Sequence, residues 1–409
     1  MENKYIHTLV VKIASRCNLN CSYCYMYNKG DSSYLQQPKV ISNSVIDAIV
    51  EKAVDHCLEN KLDRFDIVLH GGEPLLAGME KIQYFINKSK EATKENGIRF
   101  KYSIQTNGLL VTKEWCEFFN DNGISLGISI DGEKEINDKF RVDHKGRGSY
   151  DKIVRAIGLV NRHYTYEPLG LLSVLDINSS PIDSIDHLIS LGAKSVEFLL
   201  PDNNYEDLPV KPVQGDFVGS ETPYGDWLVA LYDYWNALPK EIKPGIRFFH
   251  NIIFKFCGIT ISSDLMGNEK NHVLVIETNG DIEPIDSMKI CGENFTKGDV
   301  NVVRNTLNDA FRLTLANSYY GDNNSLSQTC LKCPIFDYCG GGFIAHRYSK
   351  ENGFSNPTVY CKDYIRFITH IQSSLVRELP EDLLTIQEID TIGYEEVVNE
   401  LEIENITLY

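Results

Sequence analysis

The chain has 409 residues, 43% of them hydrophobic, and a formal net charge of -17. That length buries one large core, or a core plus a smaller appended domain, and the acidic balance repels phosphate backbones and anionic lipid, which argues against nucleic-acid or membrane partners. No apolar run of about eighteen residues occurs, and the opening MENKYIHTLVVKIASRCNLNC lacks the basic flank and cleavage site of a secretory signal, so a cytoplasmic location is expected.

In a reducing compartment the eleven cysteines stay as thiols, and closely spaced ones read as metal ligands rather than disulfides. Seven fall into two groups. Cys57 and Cys116 lie on amphipathic helical patterns and are expected to be small buried hydrophobes, while Cys257 and Cys291 stand alone.

From residue 8 to about 235, short apolar runs alternate with helical periodicity, the pattern of repeated β-α units around a parallel sheet. Six strands are predicted: Leu9 to Ala14, Phe65 to His70, Phe100 to Gln105, Ile124 to Ile130, Gly170 to Leu175 and Ser195 to Leu200. Helical patterns intervene, such as Val45 to Asn60, opened by Ser42 or Ser44, and Tyr150 to His163, opened by Ser149. Six units predict an α/β chain with a partial (β/α)6 barrel of the TIM type. The Pro-, Gly- and Asp-rich stretch from Pro201 to Gly225 continues neither periodicity and reads as a long loop, either a functional one with Tyr205, Phe217 and Tyr224 as candidate anchors or a solvated connection to the second domain. Past about residue 240 the rhythm stops, and Val273 to Asp286 reads as two strands joined at the Asn279-Gly280 turn. The expected division is a barrel over 1–238, a second domain over 239–375 and an acidic tail over 376–409. In that tail ten acids between Glu378 and Glu404 face only Arg377, the signature of a solvated segment.

Cys17, Cys21 and Cys24 directly follow the first strand, which puts their thiolates on a loop at the carboxyl end of the sheet, where barrel active sites collect. Three thiolates hold three irons of a cubane cluster and leave the fourth open. Structural zinc usually takes four ligands. The CxxxCxYC segment here, with HGGEP after the second strand, resembles the radical SAM superfamily. The resemblance implies a [4Fe-4S] cluster on Cys17, Cys21 and Cys24, with S-adenosyl-L-methionine (SAM) on its open iron. It places Gly71, Gly72, Glu73 and Pro74 at the methionine amino group: two glycines let backbone approach the ligand, and a carboxylate receives the ammonium. Tyr23 fits an aromatic wall for the adenine. IQTNG (Ile104 to Gly108) and GISIDG (Gly127 to Gly132) match further family segments and bring Gln105 to the same rim. By the same resemblance Ser129 contacts the ribose and Arg141 the methionine carboxylate, while His70 stands where relatives place a Gln. Without the family, Ser129 reads as a strand-end cap and Arg141 as half of a surface ion pair.

Cys330, Cys333 and Cys339, completed by Cys361, resemble the SPASM domain that carries auxiliary iron-sulfur clusters. On spacing alone zinc fits equally well. The family context favours one auxiliary [4Fe-4S] cluster, because relatives with two place cysteines where Ile285 and Phe343 stand. The stretch Cys339 to Cys361, with VIETNGDIEPID before it, is most similar to peptide maturases of the FxsB and GrrM type, a likeness spanning roughly residues 5 to 370. That similarity implies a ribosomal precursor peptide as substrate, a reducing donor such as ferredoxin or flavodoxin, and a cyclophane made by joining an aromatic ring to a nearby β-carbon. Asp286 is then the candidate catalytic base, with a pKa raised or poised by partial burial, against the alternative that it caps the turn beginning at Ser287. His346 and Arg347 recur in the pattern and are expected to make structural hydrogen bonds. The rival readings are thioether, formylglycine or epimer formation, and a zinc-stabilised binding module without catalysis.

Overall fold

The computed structural model describes residues 5–261, 263, 265, 271–320, 325–379 and 391–403. In chain order the first half runs β1 (Thr8–Ala14), α1 (Asn43–Asn60), β2 (Arg64–Gly71), α2 (Met79–Ala92), β3 (Arg99–Thr106), α3 (Lys113–Asn122), β4 (Ile124–Ser129), α4 (Lys134–Phe140), α5 (Tyr150–His163), β5 (Gly170–Val174), α6 (Pro181–Ser190) and β6 (Ser195–Leu199). The second half runs α7 (Pro223–Ala237), β7 (Gly245–Ile246), α8 (Arg247–Phe256), β8 (Val273–Ile276), β9 (Ile282–Glu283), α9 (Thr314–Tyr320), α10 (Gln328–Lys332), α11 (Phe336–Cys339), α12 (Cys361–Arg377) and α13 (Tyr394–Ile403). All six predicted strands form, each end within one residue of its expected place.

Two units divide the chain. The first comprises Met1–Ser173, Ser190–Ala193 and Asn271–Gly321. Its strands stand in the order β5-β4-β3-β2-β1-β8-β9, parallel from β5 to β8, with β9 antiparallel to β8. Consecutive strands therefore lie side by side, and each needs a crossover helix to return. Helix α1 supplies one: Ile46, Ile49, Val50 and Ala53 make a buried stripe at helical spacing. Ser42 caps it, accepting the Val45 N–H at 3.2 Å. Ser149 opens α5 but does not cap it, because its buried hydroxyl donates instead to the Arg141 carbonyl at 2.7 Å. The Asn279-Gly280 turn joins β8 to β9 as expected, with Gly280 at φ +90°. The hairpin opens no second domain, since β8 pairs with β1 from Thr8↔Val273 to Val11↔Ile276.

The second unit comprises Val174–Ile189, Lys194–Lys270 and Asp322–Tyr409. It pairs β6 with β7 in parallel, and Trp227, Leu231, Tyr232, Phe248, Phe249 and Phe367 from α7, α8 and α12 fill its core. This division does not fall at the expected boundary near residue 238, because the chain passes between the units several times. The acidic tail also differs from expectation. Its residues 394–403 form α13, with Val397, Val398 and Leu401 buried and Glu395 and Glu396 exposed. Net charge hid an apolar stripe at i, i+1 and i+4 that packs against α12. No described helix is long and apolar enough to cross a membrane.

Candidate active site

The three cysteines of the first group lie on the loop that leaves β1. A turn brings the Cys24 N–H to the Cys21 carbonyl at 3.0 Å, and the Asn28 N–H closes the next turn on the Cys24 carbonyl at 2.8 Å. The thiols come close enough to oppose one another's ionisation. Burial, the larger cause, and this mutual repulsion push Cys17 up to about 12 and Cys24 up to about 11, and burial raises Cys21 as well. Such a set binds protons until a cationic centre replaces them, which is the donor chemistry of an iron-sulfur cluster. Asn107 turns its Nδ2 toward Cys17 Sγ at 3.6 Å and donates to Asn18 Oδ1 at 2.7 Å.

Gly71 and Gly72 hold this loop against the end of β2. Gly71 has φ +137°, and a Cβ there would sit 2.0 Å from the Ala14 carbonyl oxygen. A Cβ on Gly72 would meet Tyr27 Oη at 2.0 Å and the Arg16 carbonyl oxygen at 2.4 Å. The glycines thus admit neighbouring backbone, where ligand approach alone was expected. The Gly72 and Glu73 N–H groups donate to the Ala14 and Arg16 carbonyls, both at 2.9 Å. Glu73 is fully buried: its carboxylate accepts from Leu75 N–H, Thr106 Oγ1 and Asn107 N–H at 3.0, 2.7 and 2.8 Å. Burial raises its pKa despite these donors, which leaves capacity for a cation. Pro74 begins the short 3-10 turn Pro74–Ala77 that Glu73 caps.

Beyond β4, Tyr23 is drawn into a buried chain. Its hydroxyl donates to Asp131 Oδ2 at 2.5 Å and accepts from Arg141 Nη1 at 2.8 Å. Arg141 is only 7% exposed, and its Nε has no partner among the described residues. It is no surface ion pair. A buried guanidinium with an unused donor fits the expected carboxylate ligand. Gln105 donates to Ser129 Oγ at 2.9 Å, so this hydroxyl is tied to a neighbouring strand rather than capping its own. Gly127 makes that bond possible, because a Cβ there would lie 2.2 Å from Gln105 Oε1.

Asp286 follows β9 and meets Lys12, which stands in the middle of β1 with no solvent exposure. The Lys12 ammonium spends its three donors on Asp286 Oδ2, His70 Nδ1 at 3.0 Å and Tyr25 Oη at 3.2 Å. Tyr25 Oη donates to the same carboxylate oxygen at 2.7 Å. Burial pushes Asp286 up, but the Lys12 charge, His70 and the two donors outweigh it and hold the carboxyl below its usual range. The expected raised pKa is therefore not found, nor does Asp286 cap the turn at Ser287. Burial and the Lys12 charge push His70 down to about 3, which keeps the ring neutral with Nδ1 as acceptor and Nε2 carrying the proton.

The second thiol set belongs to the second unit. Cys330 lies in α10, Cys333 just after it, Cys339 at the end of α11 and Cys361 at the start of α12; all four line one cavity with Leu401. Burial pushes Cys333 up to about 11 and Cys339 up to about 12, and it raises Cys330 and Cys361 too, with the neighbouring thiols reinforcing three of the four. Among the described residues no three such donors are arranged around a single metal ion. Ile285 and Phe343 are buried apolar side chains. Cys57 and Cys116 are core residues, as expected. His346 and Arg347 are buried, yet both ring nitrogens of His346 and the Nε and Nη1 of Arg347 have no hydrogen-bond partner among the described residues. The structural hydrogen bonds expected of them are not made there. Tyr224 lies in the first turn of α7 and is core, and in the loop before that helix Tyr205 is tied to the Tyr348 and Pro357 carbonyls, so neither is free to anchor a peptide. Leu208, Val210, Val213 and Val218 are the large apolar side chains it exposes.

Residues 11–174 match the family model of the Radical SAM superfamily. The cysteine-type anaerobic sulfatase-maturating enzyme of Clostridium novyi (strain NT) is 28% identical over 373 residues, covering 89% of this chain and 94% of that protein. The chain is a radical SAM enzyme. It uses SAM and a [4Fe-4S] cluster, for which the Cys17, Cys21 and Cys24 thiols fit. The serine-type anaerobic sulfatase-maturating enzyme of Bacteroides thetaiotaomicron is 26% identical to this radical SAM enzyme over 386 residues, covering 90% of each. The fold of anSMEcpe, solved with AdoMet and the Kp18Cys peptide, matches with TM-score 0.76 at 23% identity over 90% of this chain and 98% of that one. Streptococcus suis SuiB bound to precursor peptide SuiA matches with TM-score 0.60 at 17% identity over 88% and 76%.

Sequence reasoning missed Lys12, Tyr25, Asn107 and Asp131 in this radical SAM enzyme. Lys12 left one signal, a lone charge in the apolar run LVVKIA. Asn107 and Asp131 sat inside the matched IQTNG and GISIDG segments, where the neighbouring positions drew the attention.

Proposed function

We propose that this radical SAM enzyme oxidises a ribosomally made precursor peptide by two electrons, joining an aromatic ring to a nearby β-carbon as a cyclophane. The proposal takes the parallel sheet as a partial (β/α)6 barrel and the four-thiolate region as a SPASM-like domain. The observation that carries it is the ionised Asp286 carboxylate, kept beside the cysteine loop by Lys12 and Tyr25. When bound, SAM and its cluster supply a primary carbon radical that takes a hydrogen atom from an unreactive C–H bond. Glu73 and Arg141 would hold the amino and carboxyl groups of its methionine moiety. Ring attack leaves one proton and one electron to be removed before aromaticity returns. Asp286 receives the proton; such a proton leaves readily, so a weak base suffices. Cys330, Cys333, Cys339 and Cys361 would hold one auxiliary [4Fe-4S] cluster, whose chemistry is to accept an electron. Exposed Leu208, Val210, Val213 and Val218 supply apolar contacts for the peptide.

A second reading, oxidation of a Cys or Ser side chain to formylglycine, is favoured by the sulfatase-maturating relatives that match along nearly their whole length. Against it stand buried Ile285 and Phe343, which remove two ligands of a second auxiliary cluster. The test is the mass and fragmentation of peptide products formed with SAM and reductant, using a precursor encoded beside the gene and a sulfatase-derived peptide in parallel. A crosslink removes two hydrogens, keeps every sulfur and blocks fragmentation between the linked residues. A hydrazide-reactive aldehyde on an unlinked peptide would overturn the cyclophane reading in favour of the second.

A further inference from the structure

Arg347 lies at the end of the 3-10 turn Ile344–Arg347 and is 4% exposed. A buried guanidinium without partners is costly, and structures seldom keep one without a counter-group. No carboxylate forms an ion pair with it among the described residues, and its Nε and Nη1 donors are unused. The geometry shows where the cation faces. A Cβ built on Gly341 would fall 3.3 Å from Arg347 Nη1 and 3.7 Å from Cys330 Sγ, so guanidinium and thiol flank the same point. Gly340, Gly341 and Gly342 all have positive φ, at 61°, 86° and 68°, and the Leu326 side chain packs against the same point, with Cδ2 at 2.6 Å. His346 offers no equivalent, because its ring meets Phe343 and Tyr360 edge-on at 5.1 and 5.0 Å.

We propose that Arg347 is a positioning residue of the auxiliary site: its free N–H groups donate to sulfur on the Cys330 side and hold the cluster there at a higher reduction potential than the four thiolates alone would give. The inference rests on the reading of Cys330, Cys333, Cys339 and Cys361 as an iron-sulfur site. Adding one electron to such a cluster adds one negative charge, which a desolvated guanidinium offsets, and hydrogen bonds to ligand sulfur act in the same direction. A lysine in the same place keeps the charge and loses the planar fork.

The test uses the full chain with Cys17, Cys21 and Cys24 changed to Ala, so that only the four-thiolate site can be loaded, in three forms: Arg347 intact, Arg347→Lys and Arg347→Met. Metal and sulfide are counted, and the midpoint potential is read by redox titration with electron paramagnetic resonance. Iron and sulfide are expected in all three, with the midpoint shifted to more negative values in Arg347→Met and less so in Arg347→Lys. An unchanged midpoint in both loaded variants would overturn the role of Arg347 and leave the cluster reading intact. Zinc without iron in the form that keeps Arg347 would instead overturn the cluster reading. If Arg347→Met loads poorly, melting temperatures decide. Removing the guanidinium should raise the melting temperature of the metal-free protein and lower that of the loaded protein, and equal shifts in both would sink the proposal.

Discussion

A buried lysine decides the chemistry available at Asp286. Lys12 is fully enclosed and spends all three of its donors, so the carboxylate it meets is favoured as the anion, with its pKa lowered. Because the folded pKa of Asp286 is lowered, its stabilising contribution is full above the ordinary carboxyl value of 3.8 and fades only as pH falls toward the folded value. The peptide oxidation should therefore show no acid limb near neutrality that belongs to this group. Changing Lys12 to Met leaves the burial and removes the charge, so the Asp286 pKa should rise and the pH profile of crosslinked product should gain an acid limb. The same change removes one partner of a buried pair, and a loss of roughly 3–5 kcal/mol in folding free energy is expected by denaturant titration. Asp286→Asn should keep SAM cleavage and lose the crosslink. A flat profile in a folded Lys12→Met variant would separate the lysine from the state of the carboxylate, and near wild-type crosslinking by Asp286→Asn would send the proton elsewhere.

Between strands, the site is a matter of how closely two loops approach. Gly71 and Gly72 put the end of β2 within hydrogen-bond distance of Ala14 and Arg16, which fixes the cysteine loop before any ligand enters. Gly72→Ala places a methyl group against a backbone carbonyl that cannot move without shifting that loop. Overpacking of this kind costs about 1–3 kcal/mol. We expect that variant to melt lower and to incorporate less iron at the first site, with the four-thiolate site unaffected. Full incorporation would show that the approach is not needed for assembly. The strands and GGEP were legible because alternation, glycine pairs and cysteine spacing are local signals. The reason for the glycines was not, since it depends on which loop lies opposite. Tyr23 shows the same limit: next to Cys24 it reads as a wall for adenine, yet its hydroxyl joins Asp131 to Arg141 across more than a hundred residues of sequence.

Across the whole molecule, two separate thiol sets are built by different means. The first is three cysteines on one loop; the second gathers four from α10 to α12, with Leu401 of α13 lining its cavity. Cysteine spacing announced both sets, whereas α13 stayed hidden because the run of acids from Glu378 to Glu404 drew the reading to charge rather than to the spacing of Val397, Val398 and Leu401. Nor could a linear reading foresee that the hairpin at 273–283 joins β1, since partner choice within a sheet is set by tertiary packing. The separation of the sets allows a clean division of labour to be tested. Replacing Cys17, Cys21 and Cys24 together with Ala should remove about half of the iron and sulfide and abolish SAM cleavage, because only that set leaves an iron with open positions. The spectrum of the remaining site should persist, since its four thiols draw on no residue of the first loop. A triple variant that still cleaves SAM would show that the radical is generated elsewhere in the chain, and one that loses all iron would show that the second site cannot assemble without the first.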